Sequence, residues 1–321
     1  MIVTGAGGFI GSHLVERLLC LGANVTGFVR YNSRNDAGLL QFIDHPQDRL
    51  RIVTGEIREP ATVHSLLAGA DVVFHLAALV GIPYSYIRAN EVVEVNSIGT
   101  LNVLTAAKEH HLSKVIVTST SEVYGTALYV PIDEKHPKQP QSPYSASKIA
   151  SDAIAMSFAS CFDLPVAIVR PFNTYGPRQS DRAIIPVIIC QALTKQEIRI
   201  GNTRPTRDFT FVLDTVDGMI RVAESDHSIG EEINLGSGCE ISIGDLAEKI
   251  ARLVGHEVSI KQDGERLRPP KSEVERLLSQ NAKAWDLTGW RPQIDLDEGL
   301  KRTIAWMRAH LDFYDPDRYR I

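Results

Sequence analysis

The stretch VTGAGGFIGSHL, Val3 to Leu14, constrains the fold of this chain more than any other. It begins in a short apolar run, Met1-Ile2-Val3, and passes into a segment with apolar residues at Phe9, Ile10, Leu14, Leu18 and Leu19, the spacing of one helical face. Between the two stand Gly5, Gly8 and Gly11. In a strand–loop–helix unit the first glycine permits the tight turn, the second lets backbone approach a pyrophosphate, and the third lets helix pack close to strand. The helix N-terminus then meets the anion with unpaired N–H groups and the positive end of its dipole. The pattern points to dinucleotide binding; a purely structural glycine-rich turn is the plainer alternative.

The rest of the chain keeps this rhythm. The runs NVTGFV, LRIVTG, DVVFHLAA, KVIVTS and PVAIVR alternate with helical stretches, the longest at roughly 92–110 and 144–162. Strands that are apolar throughout and separated by helices imply a parallel sheet covered on both faces. The expected class is α/β, a Rossmann-like doubly wound sheet with its ligand crevice at the carboxyl ends of the strands. After Pro171 the elements shorten and Pro, Asn and Arg become frequent, as in PFNTYGPRQS and GNTRPTRDF. We expect a dinucleotide-binding domain over residues 1–172, a smaller mixed α/β substrate-binding lobe over 173–321, and a return of 209–236 to the large sheet.

Composition narrows the partners. The chain is 44% hydrophobic and 23% charged, ordinary for a globular protein. A net charge of −5 with no long basic run argues against nucleic acid or an anionic membrane surface. Cys20, Cys161, Cys190 and Cys239 are scattered, with no C-x-x-C, which fits small core residues in a reducing cytoplasm. No apolar run approaches the ~18 residues of a membrane span. Met1 leads straight into the glycine motif, so no leader segment is expected. No metal-ligand spacing accompanies His75, so no metal is expected.

The end of the second strand selects between dinucleotides. An acid there would bind the ribose 2′-OH of NAD. Here NVTGFVRYNS has none, and Arg30 stands just past the strand. With Asn32 and Ser33 it suits a 2′-phosphate, which tilts the expectation from NAD toward NADP; a solvated loop charge is the plainer reading. After the third strand, Glu56 suits the adenine amino group, or is a surface acid.

QSPYSASK opens a helix, with Ser142 as N-cap and Pro143 at the first helical position. Tyr144 and Lys148 are four residues apart and share a face. A phenol, with a pKa of about 10, is a poor base at neutral pH. A nearby ammonium stabilises the phenolate and makes Tyr144 a usable base toward a sugar hydroxyl. Lys148 also suits a hydrogen bond to the nicotinamide ribose. Upstream, KVIVTSTSEVYG carries a strand into four hydroxyl residues, Thr118 to Ser121, followed by Glu122 and Tyr124.

With TGAGGFIG, HLAA, NSIGTLNV, STSEVYG, YSASK, RPFNTYGP and RDFTFVLD, the chain resembles the extended short-chain dehydrogenase/reductase family over essentially its whole length. GFVRYNSRND with STSEVYG is similar to the GDP-mannose branch of its sugar-nucleotide 4,6-dehydratases. AALVGIPYSY, YVPIDEKHP, QSPYSASK and RLRPPKSEVERLLSQNAKAWDLTGW are similar to the dehydratases of the legionaminic acid pathway, which implies GDP-N-acetylglucosamine as substrate. The resemblance implies a cofactor site drawn from Gly5, Gly8, Phe9, Ile10, Gly11, Arg30, Asn32, Ser33, Glu56, Ile57, Leu76, Ala77, Ala78, Asn96, Tyr144, Lys148 and Pro171.

It also implies an internal redox cycle. Tyr144 takes the proton of the sugar 4-OH while hydride leaves C4, and Thr120 hydrogen-bonds the 4-oxygen. Glu122 removes the C5 proton that the 4-keto group acidifies, water leaves from C6, and the stored hydride returns to C6. Many glucose dehydratases carry Asp before this Glu. Here the position is Ser121, so the proton donor to the departing hydroxyl is open among Ser121, a water and Glu122 itself. Asn173, Arg207 and Arg268 are implied near the sugar diphosphate, where Arg suits paired phosphate contacts, with Arg178 and Arg182 behind them. Tyr84 and Tyr86 line the sugar pocket or simply pack. The resemblance implies a homodimer through the two long helices. Three rivals stay open. UDP-glucuronate decarboxylases also carry Thr-Ser-Glu before Val-Tyr-Gly. Nucleotide-sugar 4-epimerases usually have a small apolar residue at the Glu122 position. A cofactor-sensing regulator would tend to lose the Tyr–Lys pair, which is intact.

Overall fold

The computed structural model describes residues 1–34, 36–43, 48–255, 258–264 and 274–314. Its strands are β1 (Ile2–Thr4), β2 (Val25–Arg30), β3 (Leu50–Gly55), β4 (Val72–His75), β5 (Lys114–Thr118), β6 (Val166–Pro171), β7 (Asn173–Tyr175), β8 (Glu197–Ile200), β9 (Thr206–Phe211), β10 (Glu232–Leu235), β11 (Glu240–Ser242) and β12 (Ser259–Gln262). The α-helices are α1 (Phe9–Cys20), α2 (Pro60–Leu67), α3 (Ile82–Ile87), α4 (Ala89–Val93), α5 (Gly99–Glu109), α6 (Pro143–Phe162), α7 (Ile184–Thr194), α8 (Val212–Glu224), α9 (Ile243–Val254), α10 (Ala282–Thr288) and α11 (Leu296–Ala309).

Seven strands form one parallel sheet in the order β3-β2-β1-β4-β5-β6-β10. Successive residues of each strand serve opposite faces. Val3, Phe74, Ile116, Ala167 and Val169 pack under α1 and α8. Ile2, Val73, Val115, Val117 and Ile168 pack against α2, α5 and α6. This is why the strands read as continuous apolar runs. Strand order reverses between β1 and β4, so a crevice opens at their carboxyl ends, where Thr4 and His75 are paired neighbours.

The chain after β6 builds a three-stranded sheet, β11-β9-β7, and a two-stranded one, β12-β8. The return to the large sheet is narrower than the sequence implies. Phe209 to Phe211 end β9, in the smaller sheet, where alternation alone cannot say which sheet a strand joins. Helix α8 and strand β10 are the returning elements; β10 adds in parallel beside β6. The apolar core runs without a break from the α1–α8 face into the small lobe, through Tyr175, Ile189, Phe211 and Leu300.

Two helices position the chemistry. The expected helix at 92–110 is interrupted: α4 passes through a π-helical turn, Glu94–Ile98, before α5 begins. Such turns inside α-helices often mark functional sites. Helix α6 starts at Pro143 behind a full capping box, in which Ser142 accepts from the Ser145 amide and Ser145 accepts from the Ser142 amide. The cap sets Tyr144 in the first turn and Lys148 one turn further along. No helix of the described residues is long and apolar enough to cross a membrane.

Candidate active site

The glycine loop leaves β1 at Gly5, whose φ of +69° is open to glycine and strained for other residues. A side chain on Gly11 would run into the Gly5 carbonyl, so the helix sits directly on the loop. A Cβ on Gly8 would meet one atom, the Gly5 carbonyl at 3.1 Å, leaving its outer side open. Gly8 caps α1 with no side-chain hydrogen bond and no acid in the first turn. The helix therefore presents free amides and an uncompensated positive end, as an anion site requires. Phe9 and Ile10, half-buried, form its first turn.

Across the crevice, the Thr4 hydroxyl accepts from the amides of Leu76 and Ala77, both at 3.1 Å, and donates to His75 Nδ1 at 2.8 Å. His75 Nε2 then donates to Thr100, which donates to the Asn96 carbonyl at 2.6 Å. This direction satisfies every group, and burial with the nearby Lys148 charge pushes the His75 pKa down to about 3. His75 is thus a neutral strut that shapes the 76–78 loop.

Asn96 is reassigned. Its side-chain oxygen accepts from the Leu79 amide, and its nitrogen donates to the Leu79 carbonyl and to Ser147. The side chain is fully buried in the π-turn and spent on scaffold, so it does not face a cofactor as the sequence implies. Ser147 and Ser151 of α6 complete this junction and escape a motif reading, because serine at helical spacing has no signature.

At the end of β5, Thr120 caps a 3₁₀ turn, Ser121–Tyr124, by accepting from the Glu122 amide at 3.2 Å. The Thr120 hydroxyl and the charges of Glu122 and Asp152 all act on the Tyr144 phenol. Thr120, Glu122 and Tyr144 are therefore brought together; Ser121, 2% exposed, lies between them in sequence. Burial drives the Tyr144 pKa well above its ordinary value, with only Thr120 opposing. The expected lowering by Lys148 is absent in the protein alone. The Lys148 ammonium, also buried, donates to the Thr118 carbonyl at 2.7 Å, and burial pushes its pKa down to about 8. Thr118 Oγ1 and Ser119 Oγ are buried without a hydrogen-bond partner, an unmet demand beside the crevice. Pro171 ends β6 two strands from β4.

Other candidates fall outside this constellation or are already engaged. Arg30 ends β2, exposed, and Ser33 is exposed in the following loop. Asn32 ties that loop, accepting from the amides of Arg34 and Asp36 and donating to the Asp36 carbonyl, so it is not free for a phosphate. Glu56 is hydrogen-bonded by Arg58, which holds its carboxyl below the usual range; Ile57 is buried against Gly99. The Tyr84 hydroxyl donates to Glu91 at 2.6 Å, and Tyr86 is exposed. Arg178 points at α1, paired with Glu16 at 2.7 Å. Asn173 is half-buried on β7, beside Phe209 of β9. Arg207 is buried on β9 and donates to the Thr206 carbonyl. Arg182 is exposed, and Arg268 lies outside the described residues. Tyr124 is excluded from chemistry at the centre, its hydroxyl buried between Arg170 and Asn234.

An uncapped helix end over an open glycine, with a buried Tyr–Lys pair and unpartnered hydroxyls across the crevice, fits a nicotinamide dinucleotide. Comparison with known proteins gives the same direction. Residues 2–303 match the family model described as GDP-mannose 4,6 dehydratase. A UDP-glucose 4-epimerase of Mycolicibacterium smegmatis is 33% identical, over 96% of this chain and 98% of the relative. The human dTDP-D-glucose 4,6-dehydratase is 31% identical, over 97% and 90%. The crystal structure of DesIV, a dTDP-glucose 4,6-dehydratase from Streptomyces venezuelae with NAD and TYD bound, superposes with a TM-score of 0.89 at 30% identity, over 98% of each chain. The chain therefore belongs to the extended short-chain dehydrogenase/reductase family, among its nucleotide-sugar dehydratases and epimerases.

Proposed function

We propose that the protein is a nucleotide-sugar 4,6-dehydratase that converts GDP-N-acetylglucosamine to its 4-keto-6-deoxy derivative. The observation that carries this reading is Glu122. A carboxylate stands in the turn capped by Thr120, close enough for its charge to act on Tyr144. Oxidation and reduction at C4 alone need no base at C5; elimination does.

When bound, the nicotinamide supplies one reversible hydride transfer. Gly5, Gly8 and Gly11 with the α1 amides hold the pyrophosphate. Leu76, Ala77, Ala78 and Pro171 line the crevice, and Lys148 holds the nicotinamide ribose. Thr120 orients the sugar 4-oxygen toward Tyr144. Burial keeps the phenol protonated in the protein alone, so Tyr144 acts as a base only after giving its own proton to solvent, an ionisation that the Lys148 cation would favour; the phenolate then takes the 4-OH proton. Glu122 then takes the C5 proton. Glu122, now carrying the C5 proton, Ser121 or a water returns a proton to the departing hydroxyl. Arg207, with Asn173 and Arg268, receives the diphosphate. Exposed Arg30, at a β2 end that carries no acid of its own, supports NADP over NAD, with Glu56 of the neighbouring strand end within reach of its charge; Arg30→Ala is expected to lower NADP affinity relative to NAD. Exposed Val93, Ile98 and Phe162 on the π-turn helix and α6 support a homodimer through those helices, checked by solution mass.

A second reading, a UDP-sugar 4-epimerase, is supported by the 33% identical relative. Incubation with GDP-, UDP- and dTDP-linked sugars, followed by mass spectrometry, separates the two. Loss of one water from a GDP-sugar supports dehydration. An isomer of unchanged mass would replace it with epimerisation, and loss of carbon dioxide from a glucuronate would replace it with decarboxylation.

A further inference from the structure

The residue that makes Lys148 a cation lies one turn beyond it. Tyr144, Lys148 and Asp152 are spaced by four and follow one another along a single stripe of α6. All three are buried. Asp152 Oδ2 accepts from Arg170 of β6, Nη2 at 2.8 Å and Nε at 3.3 Å. Asp152 Oδ1 is buried with no hydrogen-bond partner. Around the far side, Lys138 lies 3.9 Å from the same Asp152 Oδ2, and both Arg170 and Lys138 pair with Glu232. Two cations thus meet two carboxylates there, with the Glu134 carboxyl also within reach of the Arg170 charge, and Asp152 Oδ1 is left over from these pairings.

Lys148 has the opposite problem. Its recorded hydrogen bond among the described residues goes to a neutral carbonyl, that of Thr118. A buried ammonium with only a neutral partner tends to lose its proton. We propose that Asp152 is a positioning residue for Lys148: its carboxylate, with one oxygen left unpartnered, is the counter-charge that keeps the buried ammonium protonated.

The surroundings leave Asp152 in that role. From β4, His75 is neutral, its protonation disfavoured by burial and by the Lys148 charge. From the 3₁₀ turn, Glu122 acts on Tyr144. From the π-turn and α5, Asn96, Ser97 and Thr100 are neutral; Glu94 is engaged outside by Arg58, and Lys108 lies over Phe162 at the far end of α6. From α3 and α4, Tyr84 and Glu91 are bonded to each other. Among the described residues, the Asp152 charge opposes the effect of burial on Lys148. Arg170 and Lys138 restrain the carboxylate, so the counter-charge is held at one turn's distance and does not close into a direct ion pair that would quench the lysine.

This inference rests on the reading of Tyr144 and Lys148 as the catalytic pair, but its test does not. Lysine carrying ¹³C at Cε reports ammonium titration by NMR in the protein without substrate, and Lys148→Arg assigns the signal. In Asp152→Asn the Lys148 midpoint is expected to fall by about one unit or more, while Asp152→Glu stays within about half a unit of wild type. Loosened packing would move the midpoint the other way, toward the ordinary lysine value, so a merely structural role gives the opposite sign. A midpoint in Asp152→Asn equal to or above wild type overturns the proposal. If that variant does not fold, the double variant Asp152→Asn with Arg170→Gln, which leaves no buried cation without its partner, carries the test: its Lys148 midpoint falls below that of Arg170→Gln alone, and a midpoint equal to or above that of Arg170→Gln overturns the proposal equally. Failure of every nucleotide sugar to react would sink the dehydratase reading and leave these titrations readable.

Discussion

At the scale of single residues, Glu122 and Lys148 carry the sharpest expectations. Glu122→Gln removes a base but keeps the size and the Thr120 cap. It should retain C4 oxidation, accumulate reduced cofactor visible by its absorbance, and slow water loss roughly 10²–10⁴-fold. Unimpaired water loss by that variant would end the role given to Glu122. For Lys148 the folded pKa of about 8 lies below the ordinary lysine value, about 10.4 in an unfolded chain. Between these values the unfolded chain binds more protons, so stability rises with pH across that window and the burden is full below it. Lys148→Met should therefore be inactive yet more stable at neutral pH, by something on the order of 3 kcal/mol at most, with the difference shrinking as pH rises from about 8 to about 10. Thermal unfolding of both proteins at the two pH values checks the sign. Tyr144, Lys148 and Glu122 were all legible as letters, because their spacing and their place after a strand are sequence properties. The raised Tyr144 pKa was not legible, since burial is set by residues from other elements.

At the scale of elements, caps and turns decide how well the site is held. Ser142→Ala removes half of the capping box at the start of α6 and should cost about 1 kcal/mol in denaturant unfolding, with a larger relative loss in oxidation rate because Tyr144 sits in the first turn. The cap was readable from Ser-Pro before a helical pattern. The π-turn at Glu94–Ile98 was not: nothing in the spacing of EVNSI separates it from α-helix, and it is held by Asn96, Ser147 and Ser151 across two helices. Asn96→Ala is expected to lower stability by roughly 2 kcal/mol, since it strands the Leu79 amide and carbonyl, while leaving dinucleotide affinity less affected than turnover. Calorimetric dinucleotide binding beside steady-state rates measures the split.

At the scale of the whole molecule, buried carboxylates tie distant segments of the small lobe together. Asp208, beside Arg207 on β9, accepts from the amides of Ser237, Gly238 and Ser279. Burial raises its pKa above the usual carboxylate range. Asp208→Ala strands three amides and should cost roughly 3 kcal/mol in urea unfolding, and raise KM for the nucleotide sugar by displacing Arg207. The doubly wound sheet, the glycine loop and the Tyr–Lys face were fixed by local rules: strand alternation, helix periodicity and glycine's backbone freedom act over a few residues and are written in order along the chain. What joins remote segments was decided only on folding. The neutral His75 strut, the turn of Arg178 toward Glu16, the placement of Phe209–Phe211 in the smaller sheet and the Asp152–Arg170 pairing each depend on which groups meet after burial. Charge, hydrogen-bond partner and protonation state follow from that meeting, not from the residue's neighbours in sequence.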